Sequence, residues 1–144
     1  MLVFYVDDIL LVSKSINLVA SIKTQLASRY KMNDLGREKQ FLGLEITARQ
    51  DYLFLHQQRY ILTILGHFGM VGCNDVSTLL EKKCFVPTTP ECDKGNQVEY
   101  QSILGSLMYL AIGTRPHISY AVSMLSKFST NPSTIHLAAV KRLL

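Results

Sequence analysis

Two adjacent carboxylates, Asp7 and Asp8, interrupt an otherwise apolar opening made of residues 2–6 and 9–12. Short β-branched and aliphatic runs favour strands, and a two-residue polar break between them is where a β-hairpin turns. The first dozen residues are therefore expected to form a hairpin with an acidic tip. The same two charges oppose insertion of this segment into a bilayer. A secretory leader is disfavoured as well, because the segment lacks a basic start and a small-residue cleavage site. A soluble intracellular chain is expected, with no membrane partner.

Composition narrows the class further. Apolar residues make up 48% of the 144 and charged residues 18%, the latter against about 25% in an average domain. A disordered tail or a solvating polyelectrolyte is excluded, and the length suits one domain's core. Fifteen basic and eleven acidic side chains leave a net charge of +4. That balance is compatible with nucleic acid without establishing it. Cys73, Cys84 and Cys92 are odd in number and contain no Cys-x-x-Cys pair. They point to a reducing compartment, not to a disulfide or zinc framework.

Ser15 is a plausible helix N-cap, and Val19, Ile22, Leu26 and Tyr30 follow at three- and four-residue steps. The spacing predicts an amphipathic helix to about residue 30, with Lys23 and Arg29 toward water. Asn33, Asp34 and Gly36 mark a loop, and 41–47 with 52–55 form a second hairpin around polar 48–51. Tyr60, Ile61, Ile64, Leu65 and Phe68 predict a helix over 57–68, weakened at Gly66 and ended by a left-handed Gly69. Residues 71–97, with Pro87, Pro90 and Glu81-Lys82-Lys83, read as an extended linker.

Beyond the linker, Ile103, Leu104, Leu107, Met108 and Ala111 form the stripe of a helix over 98–112. Pro116 opens another to about residue 128. A third follows Asn131-Pro132, with Ile135, Ala138, Ala139 and Leu143 as its apolar stripe. It runs into the C-terminus without a stop signal, and the first strand begins at Met1. Both ends are expected to cut through elements of a longer polypeptide or a decayed gene. The whole is expected to be α+β.

Adjacent carboxylates at a hairpin tip can hold divalent cations, which prefer oxygen ligands, yet Asp is equally a good turn residue. Tyr5-Val6-Asp7-Asp8 resembles the signature of reverse transcriptases. The downstream order fits: a helix, a loop with Asp34-Leu35-Gly36 and Lys39, then Phe41-Leu42-Gly43-Leu44-Glu45-Ile46, which resembles the primer-grip hairpin. Phe54-Leu55-His56-Gln57-Gln58-Arg59-Tyr60, Phe68-Gly69-Met70, the stretch 100–110 and Thr114-Arg115-Pro116 are similar to copia-type LTR retrotransposon polyproteins. The similarity continues through Ile118-Ser119-Tyr120-Ala121-Val122 to Lys141-Arg142 and so covers essentially the whole chain.

The resemblance implies a partial polymerase palm over 1–56, a thumb-like helix and linker over 57–97, and a helical thumb and connection portion over 98–144. It implies that Asp7 and Asp8 are catalytic metal ligands for a two-Mg²⁺ site. Tyr5 and Val6 would lie beside the primer terminus and the minor groove of a template-primer duplex. Leu42 and Gly43 belong either to the primer grip, where a glycine lets backbone approach the strand, or to ordinary strand packing. Lys39 either helps neutralise pyrophosphate or is a solvated charge.

Departures from the family pattern bear on activity. The third metal-binding aspartate, the fingers and the RNase H domain of such polymerases have no counterpart in these residues. Thr78-Leu79-Leu80 stands where a Thr-Pro-Met-like segment is usual, and His117 where an acid is usual. The expected function is therefore a fragment of an RNA-directed DNA polymerase that is inactive alone. The alternatives are a non-catalytic nucleic-acid-binding remnant and a relic polypeptide. The rest of the polyprotein is a possible partner.

Other constellations fail. His56, His67, His117 and His136 have no partner pattern for a helix-borne zinc site. Gly105-Ser106 lacks the surrounding elbow of a serine hydrolase and reads as a close-packing position. Tyr5, Tyr60, Tyr100, Tyr109 and Tyr120 are candidates to stack on bases or sugars, but the last four fall on or beside helical stripes and read better as core. Arg59, Lys82, Lys83, Lys127, Lys141 and Arg142 are candidate phosphate contacts, or a solvated face.

Overall fold

The apolar runs flanking the two aspartates pair as strands β1 (Leu2–Tyr5) and β2 (Asp8–Leu11), antiparallel, with Leu2 opposite Leu11 and Tyr5 opposite Asp8. This computed structural model describes residues 1–37, 39–81 and 93–144. The chain divides into two units, Met1–Phe41 and Leu42–Leu144. In the first unit the hairpin is extended by Met1 and Val12, each donating to the other's carbonyl at 2.7 and 2.9 Å.

Helix α1 (Ile16–Arg29) starts where Ser15 accepts from the Leu18 N–H at 3.4 Å. Val19, Ile22 and Leu26 lie half-buried along it, as their spacing predicts. Two expectations are corrected. Tyr30 is exposed and extended, because the helix ends before it. Lys23 is half-buried, because its ammonium is bound by Asp34 at 2.7 Å. No described residue of this unit is fully buried. A two-residue strand, β3 (Gln40–Phe41), ends it.

The second unit opens with the antiparallel strands β4 (Leu44–Ala48) and β5 (Leu53–His56), with Glu45 opposite His56 and Ala48 opposite Leu53. Helix α2 (Gln58–His67) follows, ended by Gly69 at φ 66° with the Met70 N–H on the Leu65 carbonyl at 2.8 Å. Only glycine adopts that left-handed closure without strain. Next come α3 (Gln97–Gly113), a 3-10 turn at Pro116–Ile118, α4 (Ser119–Ser126) and α5 (Thr134–Lys141).

The core gathers around α3. Tyr100, Ile103, Leu107 and Leu110 are buried against Ile118, Ala121, Val122 and Leu125, with Val140 and Leu143 from the last segment and Ile64 from α2. The Tyr100 hydroxyl donates to the Leu125 carbonyl at 2.6 Å, so the burial of that phenol leaves no unmet donor. Met108 is exposed instead of core-facing, since the buried stripe passes through Leu110 and Ala111. Tyr109 and Tyr120 are exposed as well, and Tyr60 is only partly buried. Gly105 is exposed and a Cβ there meets nothing within 4 Å, so it is no close-packing position.

On α5, Ile135 and Ala138 are exposed while His136, Ala139 and Val140 are buried. The face turns because His136 is drawn inward by Ser133 and by stacking on Phe128 at 3.9 Å. Gly95 fits tightly against the chain before α5: its N–H donates to the Pro132 carbonyl at 2.8 Å, and a Cβ would stand 2.8 Å from the Ser133 carbonyl oxygen. Among the described residues no helix is long and apolar enough to cross a membrane. Cys73 is exposed and free, whereas Cys84, Cys92, Lys82, Lys83 and both linker prolines lie outside the described residues.

Candidate metal and nucleic-acid site

The hairpin leaves only Val6 and Asp7 to reverse the chain between β1 and β2. Val6 takes φ 50°, which is glycine's territory at the first central position of a tight hairpin turn. A β-branched residue there is a genuine outlier, of the kind that costs about 1–3 kcal/mol. Its side chain is 87% exposed, so burial does not offset the strain. The turn presents Asp7 and Asp8 to solvent side by side, with Tyr5, also exposed, opposite Asp8.

Carboxylate oxygens are the right donors for a hard divalent cation. They fit in kind but not in number: among the described residues no group of three or more His, Cys, Asp or Glu side chains could hold a metal ion. Tyr5, Val6, Asp7 and Asp8 are thus brought together at one tip. Lys39 is exposed near the end of the same unit.

Leu42 and Gly43 form a different feature, at the start of the second unit. Both have positive φ, 52° and 77°, the conformation of a tight reversal. The Tyr109 hydroxyl on α3 donates to the Leu42 carbonyl at 3.2 Å. A Cβ added to Gly43 would overlap that same hydroxyl. Glycine is required here by its backbone angle and by the phenol beside it. The Tyr60 ring meets Tyr109 edge to face at 4.8 Å between centroids, fixing the phenol from α2.

Several of the basic candidates are already engaged. Arg142 donates to the Thr78 carbonyl at 2.9 Å and to its Oγ1 at 2.6 Å, and meets Glu81 at 3.1 Å. Lys141 pairs with Glu99 at 2.6 Å. Both cations are thus paired within the second unit. Arg59 is exposed, with its guanidinium 4.0 Å from Glu45.

Residue-by-residue reading missed a polar cluster at the end of the second hairpin. Glu45 Oε1 accepts from the Arg59 N–H at 2.9 Å, Glu45 Oε2 lies 3.4 Å from His56 Nδ1, and His56 Nε2 meets Thr47 Oγ1 at 3.1 Å. Cross-strand pairing of 45 with 56 could have suggested it, since those positions become neighbours once the hairpin register is set.

With this geometry in view, the relatives are informative. Residues 1–82 match the family model described as reverse transcriptase (RNA-dependent DNA polymerase). The chain belongs to that family. It is 42% identical over 156 residues to a retrovirus-related Pol polyprotein from transposon TNT 1-94 of Nicotiana tabacum, covering 99% of the chain and 11% of that protein. Similarity at 37% over 140 residues extends to the retrovirus-related Pol polyprotein from transposon RE1 of Arabidopsis thaliana, covering 97% of the chain and 10% of that protein. An uncharacterized mitochondrial protein of the same plant is 39% identical over 145 residues, with 99% of the chain and 59% of that protein covered. The chain therefore spans about a tenth of the transposon polyproteins and about three fifths of the mitochondrial protein. It is a copia-type reverse transcriptase segment. No solved structure matches it.

Proposed function

We propose that this chain supplies one part of the polymerase centre of a retrotransposon reverse transcriptase. Residues 1–56 are the palm portion with its primer grip, 57–97 a thumb-like helix and linker, and 98–144 the thumb and connection portion. Asp7 and Asp8 are the catalytic carboxylates and take divalent cations, Mg²⁺ first among them. Tyr5 and Val6 lie beside the primer terminus. The Leu42-Gly43 turn and Lys39 meet the template-primer duplex, and the remaining polyprotein is the partner that completes the centre.

One observation carries this reading: two adjacent carboxylates stand exposed at the tip of a two-residue hairpin whose first turn residue is held at φ 50°. Strain of that kind is tolerated where a function needs the geometry. When bound, divalent cations lower the pKa of the attacking hydroxyl and offset charge on the leaving pyrophosphate. The protein's own contribution is to hold two oxygen donors on a sheet edge and to orient the duplex from the turn at 42–43. Two carboxylates do not fix an in-line geometry by themselves, so the 144 residues alone are not expected to extend a primer.

Primer extension on an RNA template, with Mg²⁺ or Mn²⁺ and the Asp7→Asn, Asp8→Asn double variant as control, tests this. The expected result is no extension by the purified chain, and extension on adding the upstream polyprotein segment that the double variant does not support. Extension by the chain alone, lost in the double variant, would show that it completes its own centre. Duplex binding that the double variant leaves intact, with no extension under either condition, would favour a non-catalytic binding module.

A further inference from the structure

We infer that Tyr109 is a positioning residue for duplex binding: its hydroxyl sets the strained Leu42-Gly43 turn in the shape that meets the nucleic acid. The inference rests on the assignment of that turn as a duplex contact. Leu42 at φ 52° is an unfavourable conformation for a side-chain-bearing residue, and such strain persists only where surrounding structure over-determines it. The tight reversal asks for those angles, and a restraint from outside it comes from α3, 67 residues away in the chain, through the 3.2 Å bond from Tyr109 to the Leu42 carbonyl.

The same hydroxyl also faces the next residue. At Gly43 the space a Cβ would take is already filled by the Tyr109 hydroxyl, so the phenol and the bare glycine fit each other. Tyr60 packs edge to face on the same ring and limits its swing. Helices α2 and α3 thus hold the turn through one phenol, and Tyr109 is 41% exposed.

The test measures binding of the full chain to a fluorescein-labelled RNA–DNA hybrid by anisotropy, alongside melting temperature and amide exchange. Tyr109→Phe keeps the ring on Tyr60, so the melting temperature and the exchange of α3 amides should hold. Exchange at Leu42, Gly43 and Leu44 should rise, and hybrid affinity should fall by about fivefold, the order of one hydrogen bond. In the Gly43→Ala background the sign should reverse: Tyr109→Phe then removes the overlap and improves binding. Leu42→Glu, which sets a carboxylate against the phosphates, tests the contact itself and should weaken binding at low salt.

Wild-type affinity in Tyr109→Phe, with Leu42→Glu impaired, would overturn the positioning role and leave the duplex contact standing. Unchanged affinity in Leu42→Glu, or no hybrid binding by the parent chain, would overturn the contact and the inference with it. Should Gly43→Ala fail to fold, the exchange and affinity arms of Tyr109→Phe still decide.

Discussion

The carboxylate of Glu45 on β4 closes the N-terminus of α2 by accepting from the Arg59 N–H at 2.9 Å, fourteen residues along the chain. The helix has no side-chain cap of its own, because Gln57 at the N-cap position makes none. A strand residue therefore satisfies one of the orphan donors at the helix start. Glu45→Ala should cost about 0.5–2 kcal/mol, as loss of an N-cap does, read by urea denaturation. Arg59→Ala should cost less, since the backbone donor survives and the exposed ion pair adds little. Equal losses would move the effect from the cap to the ion pair.

Gln57 is itself held inward, with its Oε1 accepting from Thr114 Oγ1 at 2.8 Å and its amide pressed on Gly113. A Cβ at Gly113 would come within 2.5 Å of Gln57 Oε1. That amide is buried and has no room to retreat, so Gly113→Ala should lower stability by about 1–3 kcal/mol. Gly105→Ala, on the same helix but facing open space, should instead raise it by about 0.5–1 kcal/mol. Paired melting curves check both signs, and Gln57→Ala should recover part of the Gly113→Ala loss.

The contrast between these two glycines marks what a sequence tells and what it withholds. Local features were legible: the first hairpin, Ser15 as a cap, Gly69 as a helix stop and the Ile103, Leu104, Leu107 stripe all follow from spacing and residue chemistry, although the hairpin turns at Val6-Asp7 instead of Asp7-Asp8, with Asp8 already paired opposite Tyr5 in β2. Asp7, Asp8, Tyr5 and Val6 were legible as a group because they are contiguous. Features that depend on residues far apart were not. Gly105 and Gly113 look alike until Gln57 is placed against one of them. Tyr109 reads as core by its helical spacing, and only the approach of the Leu42-Gly43 turn gives its hydroxyl a role. Arg142 reads as a phosphate contact or a solvated charge, and no signal in the sequence indicates that Thr78 and Glu81 lie around it.

Asp34 offers a pH test with a defined sign. The Lys23 ammonium at 2.7 Å, and after it the Gly36 N–H at 2.9 Å, hold its carboxyl below the ordinary 3.8. The folded value lies under the unfolded one. The pair therefore favours the fold above pH 3.8, and the contribution fades as pH falls through the lower folded value. An NMR titration should place the Asp34 midpoint below 3.8. Lys23→Met should bring it back toward that value without reaching it, because the Gly36 N–H remains. Added salt should act in the same direction, since Asp34 is exposed and the attraction is screened. A midpoint indifferent to Lys23→Met would assign the shift to the backbone donor.

His136 provides the sharpest separation of packing from hydrogen bonding. Its Nδ1 accepts from the Ser133 N–H at 3.0 Å and lies 2.8 Å from Ser133 Oγ, while its ring stacks on Phe128 at 3.9 Å and an angle of 13°. The histidine stands at the third helical position of α5, where a capping box usually places Glu or Gln. A backbone N–H can bond Nδ1 only when that nitrogen carries no proton, which places a neutral ring's proton on Nε2. His136→Gln keeps an acceptor for the Ser133 N–H and loses the stack; His136→Phe keeps the stack and strands a buried donor. His136→Ala loses both and should cost the most, about 2–4 kcal/mol. Urea midpoints should rank wild type above both single-function variants, with His136→Ala lowest. If His136→Phe matched wild type, the Ser133 donor would be satisfied without the imidazole, and the histidine would stabilise α5 through its ring alone.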